Sequence, residues 1–178
     1  MTEATPVVLA ALDNQGPATV RFQTGVIDNA GAKTLDPRYR LLEKAGYIKI
    51  GKDKKGNTPV ALTPQGQEFL GQIAGVKKSK RKDGNDEYVV PLAQRKLVEI
   101  GKITMIEPTK AAVEYSWKWE PNPAGELFDA AGPAVKTFST WDRATLIDKY
   151  GAAFYHAAPT KATMALVEND KVWQVATR

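Results

Sequence analysis

Lysine and arginine carry most of the chemistry available to this sequence. Lys49, Lys52, Lys54 and Lys55 cluster in a short polar stretch around Gly51. Flexible ammonium groups at that spacing suit phosphates or other anions, each contact adding salt-dependent affinity that does not depend on base sequence. Arg38 and Arg40 lie just before them, and on an outward-facing helix they would point toward a major groove. A second cluster, Lys77, Lys78, Lys80, Arg81 and Lys82, could touch nucleic acid or anionic lipid. Both clusters also have an ordinary reading. Surface hairpins are lysine-rich for solubility and edge protection, and Asp83, Asp86 and Glu87 follow the second cluster closely enough to solvate it as a linker.

Catalytic chemistry finds little to work with. His156 is the only histidine and there is no cysteine, which rules out a thiolate nucleophile, a thiolate metal site and disulfides. No G-x-S-x-G elbow accompanies the histidine, and no glycine-rich phosphate loop occurs. Glu99, Glu107, Glu114 and Glu126 show no pairing that suggests acid–base work. The expectation is a non-enzymatic protein with no catalytic, cofactor or metal site. Tyr115, Trp117 and Trp119 could stack on bases, sugars or peptides, but an alternating aromatic face is more commonly the core side of a sheet.

The elements that would position these groups follow from local signals. Asp36 and Pro37 start a helix carrying Leu41, Leu42 and Ala45, and Gly46 suits the left-handed position after it. Residues 47–50 and 59–62 read as strands around a polar turn at 51–57. Thr63-Pro64 then opens a second helix carrying Phe69, Leu70 and Ile73, ending near Gly75. Upstream, residues 5–12 read as a short helix capped by Thr5, and 18–22 as a brief strand. Downstream, 88–92 and 95–106 are strand candidates, and 111–120 alternates apolar and polar residues most clearly. A short helix is expected around 126–130 and a long one over 141–157, capped by Ser139 or Thr140 and covering the aromatic face. Residues 162–167 and 172–176 close the chain as a hairpin.

Two resemblances rest on these residues. The strings Leu41-Leu42-Glu43-Lys44-Ala45-Gly46-Tyr47-Ile48 and Ala61-Leu62-Thr63-Pro64-Gln65-Gly66, separated by a basic turn, resemble the back half of a winged helix. That resemblance, over residues 36–75, implies a recognition helix followed by a two-stranded wing. Val113-Glu114-Tyr115-Ser116-Trp117-Lys118-Trp119 and the later Asn169-Asp170-Lys171-Val172-Trp173 are similar to small exported bacterial proteins, often lipoproteins, of unassigned function. That resemblance implies a cell-envelope location and no catalysis.

The expected fold is α+β: a winged-helix-like N-terminal half, then a curved antiparallel sheet packed on one long helix. The expected domains are 1–76 and 88–178, joined by a basic linker or loop at 77–87. The expected partner is a protein or other macromolecule, with nucleic acid, held by the basic wing of a DNA-binding regulator, as the alternative. A formal charge of +5 favours anionic partners only weakly. No apolar run reaches the ~20 residues of a transmembrane helix. Met1-Thr2-Glu3 lacks the basic start of a secretory signal, which leaves a cytoplasmic protein or an envelope protein whose signal has been removed.

Overall fold

The apolar pattern of the sequence is resolved by a computed structural model that describes residues 3–29, 32 and 34–177. Met1 and Thr2, on which the export reading turns, lie outside the described residues. In chain order the elements are α1 (Ala4–Asn14), β1 (Ala18–Asp28), α2 (Pro37–Lys44), β2 (Ile48–Ile50), β3 (Asn57–Leu62), α3 (Pro64–Gly71) and β4 (Lys77–Lys80). There follow β5 (Asp86–Glu107), β6 (Lys110–Pro121), α4 (Pro123–Leu127), α5 (Pro133–Lys136), α6 (Thr140–Lys149), β7 (Thr160–Asn169) and β8 (Val172–Val175). The chain is therefore mixed α and β, its strands forming an open antiparallel sheet.

The fold divides into two compact units: the described residues of 1–17, 93–120 and 155–178, and residues 18–92 with 121–154. This division does not follow the boundary expected at 77–87. The physical reason lies in α1. Its Ala4, Val8 and Leu12 recur every four residues, which places them on one face of a helix. That face packs with Val113 and Tyr115 of β6 and with Met164 and Leu166 of β7 in one buried cluster. Fully burying Val8 or Leu12 contributes roughly 1.5–3 kcal/mol each. The helix lying on the aromatic strand is thus α1. It is not the helix expected over 141–157, which ends at Lys149 before the left-handed Gly151. In this unit the strands run β5, β6, β7, β8. The β7–β8 turn places Asp170 and Lys171 at positive φ, the geometry of a tight two-residue hairpin.

The second unit holds the strand order β2-β3-β1, then the first part of β5, with β4 paired on β5. Its core includes Phe22 stacked on Tyr88 at 5.0 Å, with Tyr39, Leu41, Val60, Phe128 and Leu146 buried. Residues 77–80, expected as linker or loop, are a strand: Lys77 pairs with Val89 and Lys80 with Asp86. Its four residues are all exposed, so no apolar residue announced it. The 22 residues of β5 likewise join the two strands expected at 88–92 and 95–106.

Helix α3 keeps its expected start. Thr63 accepts a hydrogen bond from the Gly66 amide at 3.0 Å and donates to the Gly46 carbonyl at 2.6 Å. Gly66 has no room for a side chain, because a Cβ there would overlap the Tyr47 carbonyl oxygen. At Gly71, in the same helix, a Cβ would meet nothing within 4 Å. Gly66→Ala should therefore lower stability by about 2–3 kcal/mol. Gly71→Ala should be neutral or raise it by up to about 1 kcal/mol. Urea unfolding of the two variants measures both.

Candidate interaction surfaces

The cationic residues singled out above separate into two groups once their partners are known. The wing is the β2–β3 hairpin, in register with Ile48 opposite Leu62 and Ile50 opposite Val60. Ile48 turns into the core while Lys49 points out, as a period of two requires. At the tip, Lys54 and Asn57 exchange backbone hydrogen bonds of 2.9 and 3.1 Å. Lys55 and Gly56 between them have φ of 53° and 84°, the double left-handed geometry of a type I′ turn. Glycine takes that conformation readily, and a lysine does so at some cost.

The one carboxylate in the turn is taken up by the turn itself and by β1's end. Asp53 accepts from the Gly56 amide at 2.9 Å and from the Asn29 side chain at 3.1 Å. The Asn29 amide also donates to the Gly56 carbonyl at 2.9 Å, tying the end of β1 to the tip. The result is a braced hairpin. Lys49, Lys52, Lys54 and Lys55 are exposed on it, and none forms an ion pair among the described residues.

The arginines of α2 are placed otherwise. Arg40 makes a two-pronged pair with Asp142 of α6 at 3.1 and 2.8 Å, and its Nε donates to the Leu35 carbonyl at 3.3 Å. Arg38 lies over the Tyr150 ring at 4.3 Å and the Tyr39 ring at 5.0 Å, with Asp36 3.6 Å from Nη1. Burial, and next a hydrogen bond to Asp36, raises the Tyr150 phenol above its usual range. Four of the eight residues of α2 are buried, Pro37, Tyr39, Leu41 and Leu42. Arg38 and Arg40, expected to reach toward a groove, thus have partners within their own unit. They brace the helix against its own unit.

The β4 cluster is laced with carboxylates. Asp86 sits 3.7 Å from Lys78 and 3.2 Å from Lys80, and Arg81 pairs with Glu87 at 3.0 Å and Asp83 at 3.3 Å. The Asn85 amide, and then Arg81, holds the Asp83 carboxyl below its ordinary value. Such exposed pairs contribute only about 0–1 kcal/mol each, but they lower the local positive field. Lys77 and Lys82 carry no ion pair among the described residues.

The aromatic face is covered. Tyr115 is in the α1 core and Trp117 packs against it. Arg95 lies 5.3 Å from the Trp117 ring and 4.5 Å from the Trp119 ring, while donating to the Gly16 carbonyl at 2.5 Å. Sequence reading missed Arg95, because its partners are distant in the chain and nothing local marks it.

No protein-family model matches this chain, and no curated protein or solved structure does either.

The Arg40–Asp142 pair makes a testable demand on the scaffold. Its hydrogen bond from Arg40 holds the Asp142 carboxyl below its ordinary 3.8. A depressed folded value stabilises the native state above the unfolded value, and this contribution is lost as pH falls through the folded one. Asp142→Asn should thus lower stability by about 1–2 kcal/mol at neutral pH. The difference from the unaltered protein should hold between pH 8 and pH 5 and shrink below about pH 4. Chemical denaturation across that range would measure it.

Proposed function

We propose that this protein is a non-enzymatic binding protein that holds an anionic macromolecule on the braced β2–β3 hairpin. One observation carries the reading: Lys49, Lys52, Lys54 and Lys55 are exposed without an ion pair among the described residues, on a turn whose only carboxylate is used internally. The order α2, β2, β3, α3, with β1 beside β3, supports describing residues 36–75 as winged-helix-like. The resemblance to exported bacterial proteins adds a cell-envelope setting to the proposal.

A regulator that reads DNA sequence has less support. Base readout needs side chains aimed at base edges, and Arg38 and Arg40 already have partners within their own unit. Binding through the wing alone is charge-driven and indifferent to base sequence.

Fluorescence anisotropy with a labelled 20-base-pair duplex and with labelled poly-L-glutamate, each across a salt series, tests the proposal. Four lysine–phosphate contacts give a slope of log K against log salt of about −3.6 for the duplex. Changing Lys52, Lys54 and Lys55 to glutamate should flatten that slope by about three and weaken low-salt binding at least tenfold. If neither polyanion binds at 20 mM salt, or the triple variant binds as well as the unaltered protein, the wing is not the site.

A further inference from the structure

Strand β6 has two faces, and α1 packs on one of them. Val113 and Tyr115 lie in the buried cluster with that helix. Alternation along the strand turns Glu114 and Ser116 to the opposite face. The register with β7 sets Thr163 across from Glu114 and Lys161 across from Ser116, on that same face. These four residues, with Glu99 and Gly101 of β5, line an open cavity of about 380 Å³. That volume falls within the range of about 300–1,000 Å³ typical of ligand sites. All of these residues belong to the first unit.

Ser116 is 5% exposed, and its Oγ is buried without a hydrogen-bond partner among the described residues. An unmatched buried hydroxyl costs folding free energy that an alanine in its place would not. A group taken up by the cavity would supply the missing partner. The charges around the hydroxyl are unmatched as well. Glu99, Glu114 and Lys161 are exposed and form no ion pair among the described residues, although both signs line the same cavity. Gly101 adds no side chain, and a Cβ there would already press on the Glu114 carbonyl oxygen at 3.3 Å.

We propose that this cavity holds a free basic amino acid, arginine or lysine. Two carboxylates and one ammonium leave the site with one net negative charge. A ligand with two cationic groups and one carboxylate is its complement. Lys161 takes the α-carboxylate, the one anionic group of the ligand. Ser116, directly across from Lys161, accepts from the adjoining α-ammonium, and Glu99 neutralises that ammonium. Glu114 stands diagonally from Lys161, with Cβ atoms about 7–8 Å apart, and takes the far cationic end of the side chain. A metal ion would be repelled by Lys161 and would fill little of the volume. A plain anion would meet two carboxylates, and a diamine would leave Lys161 unmatched.

Amide chemical shifts, followed by two-dimensional NMR as L-arginine or L-lysine is added to about 10 mM, test this directly. Saturable shifts should appear at residues 99–101, 114–116 and 161–163, and L-glutamate should produce none. Ser116→Ala should weaken L-arginine about fivefold while its thermal midpoint stays level or rises, since the change removes an unmatched hydroxyl. Lys161→Met should weaken L-arginine about fivefold and leave agmatine, which is arginine without its carboxylate, unaffected. Glu114→Gln should weaken both ligands. Cationic ligands are repelled by the lysine hairpin, so the result does not depend on what that hairpin binds. The proposal is overturned if no shifts saturate at these residues, or if agmatine binds the unaltered protein as tightly as L-arginine. Full affinity for L-arginine in Ser116→Ala would overturn it too.

Discussion

One face of β6 must be hidden from water. Val113 and Tyr115 point the same way from that strand, and Met164 and Leu166 of β7 extend the same apolar surface. A sheet with one such face needs a cover, and α1 supplies it with a stripe that starts in the small Ala4. The choice has consequences along the chain. A helix committed to this face cannot also serve as a leading helix of a winged domain. The second unit begins with β1 and braces α2 with α6. Arg40 and Asp142 make that brace, and Ser139 caps the helix that carries the carboxylate.

This brace bears directly on function. Sequence alone presents seven arginines and lysines between positions 38 and 55 as equivalent cations. In the folded protein the two arginines are committed to tyrosine rings and to Asp142, while the four lysines of the hairpin remain exposed. Similarly, the five cations of β4 and its turn are interleaved with Asp83, Asp86 and Glu87. Charge counts in a sequence do not distinguish a paired cation from an unpaired one. The partners of these residues are set by the fold, 102 residues away in the case of Arg40.

Elements with local chemistry were legible in the sequence. The Thr63-Pro64 start, the Gly46 exit, the β2–β3 hairpin and the alternation of β6 all follow from residues within a few positions of one another. Less was legible where tertiary context decides. Lys77-Lys78-Ser79-Lys80 has no apolar residue, yet it is a strand because β5 offers it a backbone edge. The helix expected to run to 157 stops at Lys149, since Gly151 adopts φ 84° and packs its backbone beside Thr19. Thr5 does not cap α1, which begins at Ala4 with no side-chain cap.

The central claim is that the lysine hairpin, and not α2, meets an anionic macromolecule. Backbone amide chemical shifts, followed by two-dimensional NMR as a 20-base-pair duplex is added at low salt, test it most directly. The account predicts shifts concentrated at residues 49–57, which fade as salt is raised, with residues 38–44 essentially still. Shifts centred on α2, or no shifts at the hairpin under conditions where the duplex binds, would contradict it.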